Sequence, residues 1–474
     1  MALMITKLTL AALMLSLLSA KCTASSLSGT NEQDAESLRV LKSAGLTGDD
    51  LQRAARAMSA WVVETRRELH QNPELMYDLN VTTSIVRRLL NELAIPFEFP
   101  VGKAGIVGHV GSGLPPVVAL RSDMDALPVH EIPDDETRVF ASLTPGRMHA
   151  CGHDGHMSML LAAAKLLKER EGMLTGTVKL VFQPAEEGGA GGLAMALDGV
   201  LEKPHPVSMM FGMHLWPWIP SGTFALKEGP MLAAAGTFEV AVRGKGGHAA
   251  AGIGVDVVDP VVAASAIVTQ LQSIVSREVH PNEQAIVSVT RINGGDAYNV
   301  IPNEVVIGGT LRAFSRDVYN LIERRTKEIM EFTARAHGCT VELRFTSFAD
   351  DCLAAKGLPA AFASGCTYPP VVNDDDAVRL AREVAKTVVE QDRVLEAKAT
   401  MGGEDFAYFA ERIPSAFIYI GIGNETKRTT AGLHSPNFKI DESALPLGAA
   451  LHASLAVRAL AERGGIKDLS KADL

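Results

Sequence analysis

The chain has 474 residues, of which 47% are hydrophobic, 21% charged and 5% aromatic, and its formal net charge is −10. This balance is typical of a globular protein and excludes disorder, collagen and coiled coil as the main state. An acidic chain without a Lys- or Arg-rich run lacks the basic face of a nucleic-acid binder, so we expect no nucleic-acid partner. With five cysteines, the chain is also not a disulfide scaffold.

The N-terminus has the pattern of a secretory leader. Lys7 precedes an apolar run of 11 residues, 8–18, and the small residues Ser19 and Ala20 follow it, with Ala24 shortly after. We therefore place a signal peptide at residues 1–24. The alternative is an uncleaved anchor, although the run is short for a bilayer span. We expect an exported protein (secreted, periplasmic or in a secretory-pathway lumen) with no stable membrane insertion once the leader is removed.

After the leader, helical patterns alternate with short apolar runs. A helix capped by Thr47 is predicted to end at Asn72, and a second covers about 82–93. The apolar runs at 117–120, 178–182, 207–211 and 417–420 are predicted strands, each followed by polar residues. Such alternation predicts an α/β domain with a mostly parallel sheet flanked by helices. Ligands of these sheets bind beyond the carboxyl ends of the strands.

The middle of the chain has a different pattern. Strands are predicted at about 237–243, 285–293, 304–314 and 340–345, and helices at 258–280 and 316–337. This order is typical of an α+β sandwich. Since one strand of the first domain follows it, the sandwich is predicted to be an insertion. The expected boundaries are 47–232 and 350–474 for the two parts of the catalytic domain, and 233–349 for the inserted domain.

The densest cluster of reactive side chains is HACGHDGH, residues 149–156. Cys151 and His153 lie two residues apart before a predicted helix, which suits a metal ion held by a loop. The alternative is a buried thiol near capping histidines. His214 and His434 also follow predicted strands, although a single histidine is more often structural than metal-binding.

A pair of adjacent carboxylates, Glu186 and Glu187, follows another predicted strand. Neighbouring side chains point in different directions, so one carboxylate can bind metal while the other acts as a general base. The alternative is a pair of solvated loop acids. The pair, the two histidines and the cluster together contribute several candidate ligands. Their number is about what two zinc-like ions that share a water require.

These motifs belong to a series that runs through most of the chain. The series comprises residues 67–75, 121–128, 149–156, 183–188, 213–217, 244–248, 299–302, 309–314, 402–406 and 433–438. In content and order it resembles the aminoacylase-type binuclear metallohydrolases, in the amidohydrolase branch that contains hippurate hydrolases and plant indole-acetyl-amino-acid hydrolases. The resemblance implies two divalent metal ions, zinc or manganese, with Glu186 as the base. It implies five metal ligands: Cys151, His153, Glu187, His214 and His434.

The resemblance also implies a substrate and a role for the inserted domain. The reaction would be hydrolysis of the amide bond of an N-acetyl, N-benzoyl or indole-acetyl amino acid. The inserted domain, acting as a lid and as a homodimerisation domain, would carry His248 as a catalytic residue and Asn299 and Arg312 as substrate-binding residues. The alternatives are a dipeptidase or carboxypeptidase of the same superfamily, or a catalytically silent binding protein.

One segment, at about 346–367, exceeds the family pattern. It contains Cys352 and Cys366, which we predict to form a disulfide because a signal peptide places them where disulfides persist. One alternative is that Cys352 and Cys366 are not bonded and act as unrelated small apolar residues. The other is that Cys339 pairs with one of them. We predict that Cys151, by contrast, is a thiolate ligand outside any disulfide, favoured by His153 and a helix N-terminus.

Overall fold

The structure is a computed structural model that describes residues 45–250, 256–348, 352–354 and 365–464. The predicted leader and much of the extra segment lie outside these residues. The helices are α1 (Gly48–Ala57), α2 (Ser59–Gln71), α3 (Asn80–Glu92), α4 (His153–Lys168), α5 (Gly191–Leu197), α6 (Pro260–Arg277), α7 (Arg316–Ala336), α8 (Asp375–Val388), α9 (Ala407–Ala410) and α10 (Leu445–Gly464). The strands are β1 (Phe97–Val101), β2 (Gly105–Gly111), β3 (Val117–Asp123), β4 (Thr177–Gln183), β5 (Val207–Pro220), β6 (Phe224–Leu226), β7 (Gly229–Leu232), β8 (Ala234–Arg243), β9 (Gly247–His248), β10 (Ala285–Asn293), β11 (Val300–Ile301), β12 (Glu304–Ala313), β13 (Thr340–Phe345), β14 (Val371–Asn373), β15 (Val394–Glu396) and β16 (Ser415–Gly423).

The larger layer is an eight-stranded sheet in the order β1-β2-β4-β3-β5-β16-β6-β15. Its centre is parallel, since β3 pairs with β4 and β5, and β5 pairs with β16, all in the same direction. Every residue of β3 and β4 is buried. Strands covered on both faces form nearly continuous apolar runs, which is why the sequence pattern found them. The predicted mostly parallel sheet flanked by helices is confirmed.

Two local predictions were wrong. The first helix is divided at Met58, whose φ of −102° and ψ of 16° interrupt the helix between α1 and α2. Strand β5 continues to Pro220, beyond the predicted end at residue 211. It does so because β16 pairs alongside it, with Tyr419 opposite His214. His214 therefore lies within a strand and not after one.

The second layer is a four-stranded antiparallel sheet in the order β10-β12-β8-β13. Helices α6 and α7 pack on it and share its apolar cluster. Asp259 caps α6 by accepting a hydrogen bond from Val261 N at 2.8 Å, with Pro260 in the first turn. Buried and half-exposed residues alternate along much of β8, as expected for a sheet covered on one face. The predicted α+β sandwich is thus present.

The last helix is apolar enough to raise the question of a membrane span. Residues Glu442–Arg463 are long and apolar enough to cross a membrane, but 94% of their most apolar stretch is buried inside the fold. It packs against α1, α4 and α8. Its composition is explained by its place in the protein core.

The cysteines pair as predicted. Cys352 and Cys366 form a disulfide with a Cα–Cα distance of 5.1 Å, while the other two cysteines in the described part of the chain, Cys151 and Cys339, are free and buried. The disulfide prediction is confirmed, and the alternative pairing with Cys339 is wrong.

Candidate metal centre

The reactive residues meet at the carboxyl edge of the parallel strands. Asp123 is the last residue of β3, and Glu186 and Glu187 lie in the loop after β4. His153 begins α4, directly after the loop that holds Cys151. His434 comes from the loop after β16, where its backbone N–H donates to Ala150 O at 2.8 Å.

The ligand atoms of the five predicted metal ligands form two overlapping groups. In one, the atoms of Cys151, His153 and His214 all lie within 4.8 Å of one another, and in the other those of Cys151, Glu187 and His434 do. Cys151 Sγ lies 3.5 Å from His214 Nε2, and Glu187 Oε1 lies 3.5 Å from His434 Nε2. The structure thus brings the five residues to two adjacent positions that share the cysteine sulfur.

These residues fit a pair of divalent cations. His153 Nδ1 donates to Asp125 O at 2.7 Å and His214 Nδ1 donates to Leu215 O at 2.8 Å, so both rings direct Nε2 into the site. Among the residues that the structure describes, the buried atoms His153 Nε2 and Glu187 Oε1 have no hydrogen-bond partner. A buried polar atom without a hydrogen-bond partner lowers the stability of the fold unless a ligand binds to that atom. Sulfur, imidazole and carboxylate donors suit a zinc-like ion.

Without a cation, the surroundings of Cys151 and Glu186 oppose the charged forms of these two side chains. Burial and then the charges of Glu187 and Glu186 raise the pKa of the Cys151 thiol well above its usual value. Burial and then Glu404 raise the pKa of Glu186 in the same direction. The expectation that neighbouring protein groups make Cys151 a thiolate was therefore wrong in its reason. A bound cation favours both the thiolate and the carboxylate.

The loop of Glu186 and Glu187 is anchored by Asp125. The two carboxylate oxygens of Asp125 accept hydrogen bonds from the backbone N–H groups of Glu186, at 2.8 Å, and Glu187, at 3.1 Å. The backbone oxygen of the same residue accepts the hydrogen bond from His153. One buried residue thus orients both the paired carboxylates and a metal-binding imidazole.

A cavity of about 1240 Å³ opens onto this centre. Arg312 of β12 lines it together with the reactive residues, and its Nη1 donates to Met401 O at 2.7 Å. Burial lowers the pKa of Arg312 from its usual value. Much of the remaining wall is apolar, including Trp216, Leu232, Ile219, Leu395, Phe417, Tyr419 and Leu433. The cavity thus combines an apolar surface with the metal ligands and with two cationic side chains, Arg312 and Lys398.

Two predicted site residues are not brought to this cavity. His248 and Asn299 lie on or beside the small ribbon of β9 and β11, and neither is among the described residues that line the cavity. The ribbon continues from the end of β12 at Glu304, which pairs with Arg243. At about 3.4 Å per residue, the eight residues from Glu304 to Arg312 span about 27 Å. The sequence pattern could not reveal this separation.

Comparison with known proteins identifies the family. The model of peptidase family M20/M25/M40 matches residues 119–458. The chain belongs to this family. The prediction of a metal-dependent amidohydrolase of this superfamily is thereby confirmed.

Individual relatives are similar over nearly their whole length. IAA-amino acid hydrolase ILR1-like 2 of Arabidopsis thaliana is 44% identical, over 85% of this chain and 86% of that protein. N-acetylcysteine deacetylase of Bacillus subtilis is 36% identical, over 85% of this chain and 98% of that protein. Among solved structures, the YXEP protein of Bacillus subtilis, described as a dinuclear metal binding peptidase, is 34% identical with a TM-score of 0.69, over 85% and 99% of the two chains.

Sequence reasoning missed a buried charge network behind the site. Arg121 is fully buried in β3, and its guanidinium donates to Asp123 and Glu404 at 2.8 Å and to Asp405 at 3.1 Å. It also donates to Gln183 Oε1 at 2.9 Å. An arginine directly after a fully apolar run was a usable signal, because a buried cation requires buried anions. Two of these three anions, Glu404 and Asp405, lie 283 and 284 positions away in the sequence.

Proposed function

We propose that the chain hydrolyses the amide bond of N-acyl amino acids, of the acetyl, benzoyl or indole-acetyl type, and releases the amino acid and a carboxylic acid. One observation carries this proposal: two overlapping groups of metal-ligand atoms lie beside Glu186 in a cavity that also contains Arg312. The names of the plant and bacterial relatives support the same reaction. Cys151, His153, Glu187, His214 and His434 would hold two ions, zinc or manganese.

Glu186 is the proposed general base. When bound, two divalent ions lower the pKa of a water and polarise the amide carbonyl. Glu186 accepts the proton of the attacking water and delivers it to the departing amine. The hydrogen bond from its backbone to Asp125 keeps this carboxylate beside Glu187.

Arg312 is the proposed partner of the substrate carboxylate. Its described hydrogen bond uses Nη1 and goes to a backbone carbonyl, so other N–H groups of the guanidinium are left to bind an anion in the cavity. The apolar wall around Trp216 would receive the acyl group. A carboxylate at one end and an acyl group at the other place the amide between them, near Glu186.

The inserted domain is proposed to pair two copies of the chain. Strand β10 is an edge strand of its sheet, and the outer half of this strand is exposed. A second copy could then supply His248 and Asn299, which lie far from Arg312 in one chain. Sedimentation velocity tests the dimer, and a monomer at micromolar concentration would contradict it.

The protein is also proposed to be exported after removal of residues 1–24. The Cys352–Cys366 disulfide supports an oxidising compartment. N-terminal sequencing of the protein from its natural host tests this, because an intact Met1 would contradict leader removal.

A substrate panel tests the function. The panel contains N-acetyl, N-benzoyl and indole-acetyl amino acids and matched dipeptides with free amino groups, each with zinc, manganese, cobalt or a chelator. We expect chelator-sensitive release of the amino acid from the N-acyl compounds. Preferential cleavage of the dipeptides would favour the peptidase alternative, and no cleavage at all would favour a silent binding protein.

Two isosteric substitutions separate the roles of the paired carboxylates. Glu186→Gln is expected to lower kcat by about 10²–10⁴-fold with nearly unchanged metal content, because it removes the base alone. Glu187→Gln is expected to weaken metal binding, measured by elemental analysis after dialysis. A folded, metal-loaded Glu186→Gln variant with near-full activity would refute the assignment of the base.

A further inference from the structure

The loop that carries Glu186 has an unfavourable backbone conformation. Ala185 and Ala190 have positive φ angles of 54° and 53°, which residues with a Cβ rarely adopt. Inside the loop, the N–H groups of Gly189 and Gly191 both donate to Ala185 O, at 3.1 and 3.2 Å. Such a conformation persists where the surroundings hold it in place. The groups that contact this loop from outside therefore determine where Glu186 lies.

Tyr368 holds the loop on both sides. Its hydroxyl donates to Glu186 O at 2.8 Å and accepts from Ala190 N at 3.0 Å. The side chain is nearly fully buried and its ring packs edge-on against Tyr408, with ring centroids 6.0 Å apart. One hydroxyl thus joins the residue that carries the proposed base to one of the two strained alanines.

The disulfide fixes the backbone from which Tyr368 extends. Cys366, two residues earlier, is bonded to Cys352, and both sulfurs belong to a buried cluster that also contains Tyr368, Tyr408, Ala190 and Leu193. Backbone hydrogen bonds link Tyr368 to Ala235 in both directions, at 2.9 and 3.0 Å. The cystine therefore lies in the same buried cluster as the residues that hold the loop.

The geometry points to Tyr368 as a positioning residue for Glu186, with the Cys352–Cys366 disulfide as the brace that holds Tyr368 in place. The inference rests on the proposed function, because it assigns a support to the base of that reaction. It also gives a role to the segment that exceeds the family pattern, because both cysteines of the disulfide lie in that segment.

Tyr368→Phe tests the positioning role, because it removes the hydroxyl and keeps the ring. We expect kcat to fall roughly ten- to a hundredfold with KM and metal content within twofold of the wild type, since small misplacements of a catalytic group have such effects. The matched control is Tyr408→Phe. It removes a buried hydroxyl of the same cluster that donates to Thr367 O at 3.0 Å and that has no hydrogen bond to residues 185–191 among those described. We expect its kcat to stay within twofold.

Hydrogen exchange provides a readout that does not depend on activity. In Tyr368→Phe the amide of Ala190 loses its acceptor, so the peptide spanning 185–191 is expected to exchange at least tenfold faster, and to be unchanged in Tyr408→Phe. The Cys352→Ala/Cys366→Ala variant tests the brace and is expected to exchange faster in the same peptide and to lose about fivefold in kcat. Combining it with Tyr368→Phe should add little, because both changes act through one contact.

The outcomes are distinguishable. If the wild type cleaves no compound of the panel, the proposed function fails, and exchange at 185–191 still decides whether Tyr368 holds the loop. If Tyr368→Phe matches Tyr408→Phe in both exchange and kcat, the positioning role is overturned. If the cysteine variant exchanges like the wild type at 185–191, the disulfide is not the brace.

Discussion

Replacing Asp125 by asparagine tests the anchoring of the paired carboxylates. Asp125 is fully buried, and its two oxygens accept one N–H each from Glu186 and Glu187. Asparagine retains a single oxygen, so one of these N–H groups would face an NH₂ donor. The backbone oxygen that orients His153 is retained. The substitution therefore disturbs the loop and leaves the orientation of the imidazole intact.

The magnitude follows from the bond that is lost. A hydrogen bond to a charged acceptor contributes about 1.5–3 kcal/mol. Reduced repulsion between residue 125 and Glu187 offsets part of this, so we expect a net loss of about 2 kcal/mol. For a catalytic domain of about 310 residues, an unfolding entropy of about 2.1 cal/mol/K per residue makes each kcal/mol shift Tm by about 1.5 °C, which gives a decrease of about 3 °C. Displacement of Glu186 is expected to lower kcat about a hundredfold.

The assay compares thermal unfolding of the metal-free protein with kcat of the metal-loaded protein. Asp135→Asn is the control, because the Asp135 side chain is fully exposed and pairs with Arg138 at the surface. We expect this change to leave Tm within about 1 °C, since exposed ion pairs contribute little. The reasoning is refuted if Asp125→Asn retains both the Tm and the kcat of the wild type.

Three further results are expected. Arg121→Met should destabilise the protein by about 3–5 kcal/mol, measured by thermal unfolding, because it leaves buried carboxylates without their cation. Arg138→Met, at an exposed position, should not destabilise the protein. At alkaline pH, which the raised pKa of the Cys151 thiol requires, iodoacetamide should label Cys151 in the metal-free protein alone, and equal labelling of metal-loaded protein would contradict a ligand role. Burial lowers the pKa of Lys179 to about 8. The free-energy cost of burying its charge is therefore present below pH 8 and disappears as the pH rises toward the pKa that this lysine has in the unfolded protein. The Tm of wild type relative to Lys179→Met should therefore rise between pH 8 and 10, and a constant difference would disprove this.

The local architecture was largely predictable because its signals are local. Buried strands such as β3 and β4 leave apolar runs, and Asp259 followed by Pro260 marks the start of α6. The wrong end of β5 arose because a neighbour distant in sequence decided the outcome. Strand β5 extends past His214 because β16 pairs with it, and no property of residues 212–220 alone indicates that partner.

The candidate ligands were also predictable, because the motifs that carry them match the family's series in content and order. Their supports were not. Asp125 reaches across 61 residues to Glu186, and Tyr368 reaches across 182. A hydrogen bond depends on direction and on distances of a few tenths of an ångström, which residue type and spacing do not encode.

The sequence by itself determined the family, the two-domain pattern and the chemistry of the donors, because each depends on residue identity and short-range periodicity. The tertiary structure alone decided that Cys151 belongs to both groups of ligand atoms, that Arg121 neutralises carboxylates from a distant segment, and that His248 lies far from Arg312 within one chain. Each of these depends on how distant segments pack. Burial then acts on the groups brought together, raising the pKa of a thiol and of a carboxyl that would be ordinary in water.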